Sequence, residues 1–157
     1  MMDFLLKLWK KLPFGKNIKL FLMRFLQDEF LIGVTGVIFD DQGKILVVKH
    51  SYRDGEYWSL PGGFIKGREH PMEGLAREIE EETGFIVKPE ENLRVRTDRD
   101  TARLDFSLTG KLTGGEFMPS KEVTEARFYS PENLPLLPPD QLLLIQAIIT
   151  RNSGSPK

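Results

Sequence analysis

The sequence predicts a single α/β domain, because stretches typical of buried strands are interleaved with amphipathic helices. Six stretches read as strands: 30–40, 44–49, a short one at 58–60, 92–98, 103–111 and 123–129. Helices are predicted between Pro71 and Gly84 and over residues 140–150, each with one apolar face. Residues 151–157 are predicted to be a disordered tail. At 157 residues the chain is long enough for one domain with a substantial core.

Composition and charge exclude several classes of protein and site. The net charge of −1 gives no general electrostatic case for binding nucleic acid. The chain has no cysteine, which excludes disulfides and thiolate metal sites and is compatible with the cytoplasm, the location that we expect. No apolar run reaches the roughly 18 residues of a transmembrane helix. We therefore expect no nucleic-acid partner and no membrane span.

Residues 1–26 are predicted to form a basic, amphipathic helical extension ahead of the main domain at 27–150. Two short helices, 4–12 and 17–26, are separated by Pro13-Phe14-Gly15. The extension would pack on its own domain or form the arm of a homodimer, since most amphipathic helices face a protein core. Contact with a membrane surface is the less favoured alternative.

The stretch from Gly63 to Phe85 is the most informative part of the sequence. After a Gly-rich entry, Pro71 suits the first helical turn, where its missing N–H costs nothing, and Gly84 suits the helix stop. At about 100° per residue, four apolar side chains form the stripe of this helix that faces the core. They are Met72, Leu75, Ala76 and Ile79.

Three carboxylates lie on one flank of that stripe, at spacings i, i+3 and i+4: Glu78, Glu81 and Glu82. Like charges at these spacings repel and destabilise a helix. A bound divalent cation would offset the repulsion, and carboxylate oxygens are ligands that Mg²⁺ and Mn²⁺ prefer. The other flank is predicted to carry Glu73, Arg77 and Glu80, with Glu73 and Arg77 as an ordinary i,i+4 ion pair.

A spaced set of residues runs through the same stretch: Gly63, Glu69, Arg77-Glu78-Ile79, Glu81-Glu82 and Gly84-Phe85. This set resembles the complete signature of the Nudix hydrolases, with no departure at any defined position. The preceding Leu60-Pro61-Gly62-Gly63 is similar to the run that usually leads into that signature. The resemblance implies an α/β/α sandwich with a mixed β-sheet. It also implies Mg²⁺-dependent hydrolysis of a nucleoside diphosphate linked to another group, with Mn²⁺ able to substitute.

The resemblance also implies roles for individual residues. Glu78 and Glu82 would be central metal ligands, joined by Glu81 and by a backbone carbonyl of Gly63 or its neighbour Gly62. One of the carboxylates would take the proton of the attacking water. Arg77, beside them in the sequence, would orient the helix or the preceding loop.

Three further glutamates belong to the same resemblance. Glu122, just ahead of a late strand, is similar to a carboxylate that this family brings towards the metals, as an additional ligand or a general base. Glu125 is the alternative for that role, and a solvent-exposed glutamate without function is the ordinary reading of either. Glu69 is expected to brace the loop rather than to bind metal.

Other polar and aromatic residues carry less information. His50 and His70 are expected to be polar surface residues. Four basic residues would contact phosphates or form ordinary surface ion pairs: Lys44, Arg53, Lys66 and Arg96. Three aromatic residues would stack on a base or, more commonly, pack in the core: Tyr52, Trp58 and Phe64.

The substrate stays open at this point. The chain lacks the additional markers that some Nudix subfamilies carry outside the signature. Nucleoside triphosphates, including oxidised ones, and nucleotide sugars are both candidate substrates. The alternative function is a Nudix-fold module that senses a nucleotide without cleaving it. Such modules usually have a damaged signature, so the intact one here favours the enzyme.

Overall fold

The computed structural model describes residues 30–52, 57–98 and 100–153, leaving aside the side chains of 91–93 and 152–153. Its elements are β1 (Leu31–Phe39), β2 (Ile45–His50), β3 (Gly62–Phe64), α1 (Pro71–Thr83), β4 (Phe85–Asp98), β5 (Arg103–Gly115), β6 (Val123–Tyr129), a 3₁₀ turn (Pro131–Asn133) and α2 (Pro139–Ser153). The predicted extension at 1–26, Arg53 and residues 154–157 of the predicted tail lie outside the described residues.

The strands form one mixed sheet, as the resemblance implied. The hydrogen-bonded order is β4-β5-β1-β2-β6, and β3 pairs with β1 as well. β1 runs parallel to β5, with Leu31 opposite Arg103 and Phe39 opposite Lys111, whereas the other pairings are antiparallel. β1 therefore lies in the middle of the sheet, and β4 and β6 form its edges.

The two helices pack on opposite faces of this sheet. Successive side chains of a strand point to opposite faces, and Val34 of β1 packs in one buried cluster with Leu75 of α1. Val37, on the other face, packs in a second cluster with Leu144 and Ile145 of α2. Each such side chain contributes about 1.5–3 kcal/mol when it leaves water. The predicted α/β/α sandwich is confirmed.

The short strand predicted at 58–60 is wrong: Ser59 forms only an isolated bridge with Val48, and the paired strand is Gly62–Phe64. Two other strands are longer than predicted. β4 begins at Phe85 rather than at 92, because Gly84 ends α1 in the left-handed conformation (φ 75°) and turns the chain directly into the strand. Pro89 argues against a strand at 85–91, but β4 is an edge strand, where a missing N–H is tolerated. β5 likewise continues to Gly115 instead of ending at 111.

The last helix continues beyond its predicted end. α2 runs to Ser153, so residues 151–153 of the predicted tail are helical. No Gly or Pro follows Pro139 until Gly154, and Arg151 in the last turn interacts favourably with the negative end of the helix dipole. Among the described residues, no helix is both long and apolar enough to span a membrane.

Candidate active site

α1 begins where the sequence predicts, and local hydrogen bonds fix its start. Pro71 is the first helical residue and His70 is the N-cap. The N–H of Met72 donates to Nδ1 of His70 at 3.3 Å, and the N–H of His70 donates to Oε2 of Glu73 at 3.0 Å. This capping box uses the Glu73 carboxylate. The predicted Glu73–Arg77 ion pair is therefore wrong, because Arg77 has other partners.

Arg77 lies against the acidic flank of α1, and its predicted place on the opposite flank is wrong. Its guanidinium donates to both oxygens of Glu69 (2.7 and 2.9 Å), to Glu78 Oε1 (2.8 Å), to Glu81 Oε2 (3.0 Å) and to the carbonyl oxygen of Phe64 (3.0 Å). Arg77 is four residues from Glu81 as well as from Glu73, so helical spacing allows either pairing, and the long arginine stem carries its planar fork of donors to Glu69 as well. The hydrogen bond with Glu69, more than any other contact, raises the pKa of Arg77.

Glu69 braces the loop ahead of α1, as expected. Its carboxylate accepts from Arg77 and, at 2.9 Å, from the backbone N–H of Lys66. These hydrogen bonds, that of Arg77 first, lower the pKa of Glu69 to about 2. Gly74 of α1 makes room for the brace, because a Cβ there would lie 3.2 Å from Glu69 Oε2 and 3.4 Å from Ile65 Cγ1.

Two glycines let β3 approach both the sheet and α1. Gly62 has φ 154° and lies against the backbone of Val34, so that a Cβ there would overlap the Val34 carbonyl oxygen. A Cβ on Gly63 would overlap the Glu78 carboxylate. The absence of these side chains therefore lets the Gly63 backbone lie directly beside Glu78.

Glu82 is the most unusual carboxylate of the structure. Its side chain is buried, with only 7% of the residue exposed. Among the described residues, its Oε2 has no hydrogen-bond partner. Burial raises the pKa of Glu82 to about 8, and the neighbouring charges of Glu78, Glu122 and Glu81 act in the same direction. A buried carboxylate in this position is stable as an anion only if a positive charge joins it.

The structure separates the two candidates for the fourth carboxylate. Glu122 lies just ahead of β6, where its carbonyl oxygen accepts from the N–H of Ser51 at 2.8 Å, and its charge acts on Glu82. Glu125 lies further along β6 and pairs with Arg127 (2.7 Å) and Lys49 (3.6 Å). Glu122 is therefore the one that joins the acidic cluster.

These side chains line a cavity of about 430 Å³, which we call the acidic cavity. Its lining includes every predicted site residue: Gly63, Arg77, Glu78, Glu81, Glu82 and Glu122. Lys66 and Arg103 add two further positive charges to its lining. Residues that are distant in the sequence thus meet around one space, with α1 supplying three of its four glutamates.

His50 differs more from its predicted position than the other polar and aromatic residues named from the sequence. It is buried (6% exposed) and lines the acidic cavity, so its prediction as a surface residue is wrong. The reason is that β2, which it ends, lies between β1 and β6. Exposed Phe64 and Tyr52 also line the cavity, whereas Trp58 packs in the core. Lys66 Nζ lies 3.5 Å from Glu81 Oε1.

The comparison with known families agrees with this geometry. A family model described as the NUDIX domain matches residues 29–149. The chain belongs to the Nudix family. It is 34% identical over 128 residues to the ADP-ribose pyrophosphatase of Methanocaldococcus jannaschii, covering 78% of this chain and 75% of that protein. It is 33% identical over 105 residues to a MutT-like protein of Streptomyces ambofaciens, covering 66% of each.

Solved structures of Nudix proteins share the fold. A Nudix hydrolase from Nitrosomonas europaea superposes with a TM-score of 0.71 at 24% identity, covering 83% of this chain and 76% of that one. Together with the family match, these relatives show that the chain is an enzyme, a Nudix pyrophosphohydrolase.

The donor set of the Nudix acidic cavity fits a hard divalent cation. Its carboxylate oxygens are the ligands that Mg²⁺ and Mn²⁺ prefer, and the buried, unpartnered Oε2 of Glu82 would gain a partner from a cation. In the conformation described, no three acidic or histidine side chains of the described residues are arranged around a common ion position. Glu78 and Glu81 are instead bonded to Arg77. Arg77 bonds one oxygen of each carboxylate, Oε1 of Glu78 and Oε2 of Glu81, so the other oxygen of each would serve as the ligand of a cation.

A second cavity of about 440 Å³ adjoins the acidic cavity and shares Thr35, Arg103 and Gln141 with it. Its floor is the α2-facing side of β4 and β5, and Asp140 of α2 contributes to its wall. The described residues that line it include three arginines and three aspartates: Arg94, Arg96, Arg103, Asp98, Asp105 and Asp140. We call it the mixed-charge cavity. Of its charged residues, only Arg96 was among the candidates from the sequence.

Proposed function

We propose that this Nudix enzyme cleaves the pyrophosphate link of a nucleoside diphosphate derivative by Mg²⁺-dependent attack of water on phosphorus. The observation that carries the proposal is Glu82, a buried carboxylate with an unpartnered oxygen and a pKa raised to about 8 among three other glutamates. Such a group is costly to bury without compensation. A divalent cation together with a phosphate substrate would supply the compensation.

The cation would be held by the carboxylates of Glu78, Glu81 and Glu82 and by the backbone carbonyl of Gly63. When bound, Mg²⁺ neutralises phosphate charge and lowers the pKa of a bound water, and Mn²⁺ shares its preference for oxygen ligands. Arg77 holds Glu78 and Glu81 in place through its guanidinium, and Glu69 holds Arg77. Arg77 and Glu69 are in this proposal positioning residues.

Glu122 is the proposed general base. Glu78 and Glu81 are hydrogen-bonded to Arg77, and Glu82 is buried, whereas Glu122 is exposed and lines the acidic cavity. A carboxylate oxygen of Glu122 would accept the proton of the attacking water. The hydrogen bond from Ser51 to the Glu122 carbonyl oxygen fixes the backbone that presents this side chain.

The relatives support the substrate class. The M. jannaschii relative is named an ADP-ribose pyrophosphatase, which acts on a nucleoside diphosphate linked to another group. The positive charges of Lys66 and Arg103 around the acidic cavity would contact phosphate oxygens. A cytoplasmic location, a homodimer and membrane contact through residues 1–26 stay predictions.

The test is a hydrolysis assay on a panel of nucleoside triphosphates and nucleotide sugars, with Mg²⁺, with Mn²⁺ and with chelator. Wild type is compared with Glu82→Gln and with Glu80→Gln, which changes an exposed glutamate of the same helix. We expect metal-dependent turnover that only Glu82→Gln abolishes. Nucleotide binding without turnover across the whole panel would replace the enzyme proposal with that of a nucleotide sensor.

A further inference from the structure

The mixed-charge cavity adjoins the acidic cavity but takes no part in the proposed chemistry. Because the two cavities share Arg103, Thr35 and Gln141, a group attached to a phosphate in the acidic cavity can extend into the mixed-charge cavity. The residues that line it therefore bear on which substrate is accepted.

The charges of this cavity are largely paired with one another. Arg103 Nε lies 2.6 Å from Asp105 Oδ1, Arg96 Nη1 lies 3.2 Å from Asp140 Oδ2, and Arg96 Nη2 lies 4.0 Å from Asp105 Oδ2. Two of its arginines thus already face carboxylates. A further phosphate entering here would meet aspartates as well as arginines, and close approach of like charges is costly.

A carboxylate paired with arginine still has lone pairs that can accept hydrogen bonds from hydroxyl groups. Asp98, Asp105 and Asp140 offer such acceptors, and the side chains of Thr101, Ser107 and Gln141 line the same cavity. Sites that hydrogen-bond a substrate hydroxyl discriminate strongly against analogues that lack it, because buried polar groups are then left without partners. The lining therefore suits a neutral group that carries several hydroxyls.

Exposed aromatic side chains line the acidic cavity instead. The lining of the mixed-charge cavity contains no aromatic residue among those described. Phe64 (45% exposed) and Tyr52 (65% exposed) line the acidic cavity. The Arg103 guanidinium lies over the Phe64 ring, 5.2 Å from its centre, and so comes between the aromatic side and the aspartates. A base that stacks on an aromatic ring has its place there, and not among the aspartates.

We propose that the mixed-charge cavity binds a sugar linked to the substrate's diphosphate, so that the enzyme prefers nucleoside diphosphate sugars to nucleoside triphosphates. This inference rests on the proposed function and specifies its substrate. Arg103, at the junction, contacts the phosphate next to the sugar, and Asp105 holds Arg103 in position. Asp140, which is half exposed at the start of α2, accepts hydrogen bonds from the sugar hydroxyls.

The test compares substrates that differ only in the group beyond the diphosphate: ADP-ribose against ATP, and UDP-glucose against UTP. We expect kcat/KM to be at least about tenfold higher for the sugar of each pair. Asp140→Asn should lower kcat/KM for the sugars by about tenfold, mainly through KM, and leave the triphosphates within about twofold. Asp140→Lys should favour the triphosphates. Glu132→Gln, outside the cavity, is the control and should change neither.

Equal or better turnover of the triphosphates by wild type would overturn the inference, as would an equal effect of Asp140→Asn on both members of a pair. Titration calorimetry of ADP-ribose and ATP in chelator separates this result from a failure of the proposed function. If no substrate is hydrolysed, selective weakening of ADP-ribose binding by Asp140→Asn still supports the sugar site. Unchanged or equally weakened binding rejects it. Thermal melting confirms that each variant is folded.

Discussion

The acidic cavity and the mixed-charge cavity adjoin each other, but charged side chains are paired in the second and not fully compensated in the first. In the acidic cavity, Glu82 is buried with an oxygen that has no partner among the described residues. In the mixed-charge cavity, Arg103 and Arg96 face Asp105 and Asp140. Uncompensated charge favours a cation and a polyanion, whereas compensated charge favours a neutral polar group. We therefore propose that the acidic cavity carries out the chemistry and that the mixed-charge cavity selects the substrate.

The largest effect on activity is expected from removing the charge of Glu82, the buried carboxylate that most needs a compensating cation. Glu82→Gln should lower kcat by about 10³-fold, which corresponds to ~4 kcal/mol of transition-state stabilisation. The amide keeps the shape of the side chain and removes the charge that would bind the cation. Steady-state hydrolysis at saturating Mg²⁺ measures the loss. If Glu82→Gln keeps a kcat as close to that of wild type as the control Glu80→Gln does, the buried charge has no role in the reaction.

A smaller effect is expected from the glycine that lets β3 lie against α1. Gly63→Ala places a methyl group where the Glu78 carboxylate lies, so Glu78 must move. Displacing a catalytic group by about 1 Å can cost about 10²-fold in rate, and we expect a loss of that order in kcat/KM.

Gly67→Ala is the matched control for this variant, since a Cβ at Gly67 meets no atom within 4 Å. Both variants should keep the melting temperature close to that of wild type. Equal activities of the two would mean that the position of Glu78 is not critical.

Arg77→Lys should also lower activity by displacing metal ligands, but less than Gly63→Ala does. A lysine keeps the positive charge, but its three donors on one nitrogen cannot reproduce the five hydrogen bonds of the guanidinium, which span Glu69, Glu78, Glu81 and the Phe64 carbonyl. Removing a residue that orients metal ligands typically costs about 10–100-fold in metal affinity or activity. The Mg²⁺ concentration that gives half-maximal rate should therefore rise. Arg151→Lys in α2 is the control. If Arg77→Lys leaves the Mg²⁺ dependence unchanged, as the control should, the positioning role of Arg77 is contradicted.

The last expected effect is on stability without metal rather than on rate. The pKa of Glu82 is raised from 4.5 to about 8 in the folded protein. Between these pH values the folded chain retains a proton that the unfolded chain has released. The contribution of Glu82 to the free energy of unfolding therefore falls as pH rises from about 4.5 to about 8. Denaturant titrations in chelator across this range should show a shallower decline for Glu82→Gln, and identical slopes would be inconsistent with the raised pKa.

The acidic cavity could largely be predicted from the sequence, because its key residues are local. Helical spacing places Glu78, Glu81 and Glu82 on one flank, and Pro71 and Gly84 mark the helix ends. Spacing alone did not decide whether Arg77 pairs with Glu73 or with Glu81, each four residues away, and the Glu69 loop that folds back over α1 decides it. The helical position of a long, flexible side chain does not determine its partners.

The mixed-charge cavity could not be predicted in the same way, because it is assembled from distant segments. Arg96 and Asp140, which meet in its wall, are 44 residues apart. The sequence does contain a signal, since charged or polar residues alternate with apolar ones in 94–96 and 103–107. Alternation of this kind normally indicates a solvated sheet face. Only the register of β4 with β5, and the place of α2 beside them, converts that face into a cavity.

The most direct test is the binding of Mn²⁺, which can be followed by electron paramagnetic resonance, to metal-free wild type, Glu82→Gln and Glu80→Gln. It needs no knowledge of the substrate and addresses the uncompensated charge itself. We expect wild type and Glu80→Gln to bind Mn²⁺ alike and Glu82→Gln to bind at least about tenfold more weakly, a difference of ~1.4 kcal/mol. Equal binding by all three proteins would contradict a metal site at the acidic cavity.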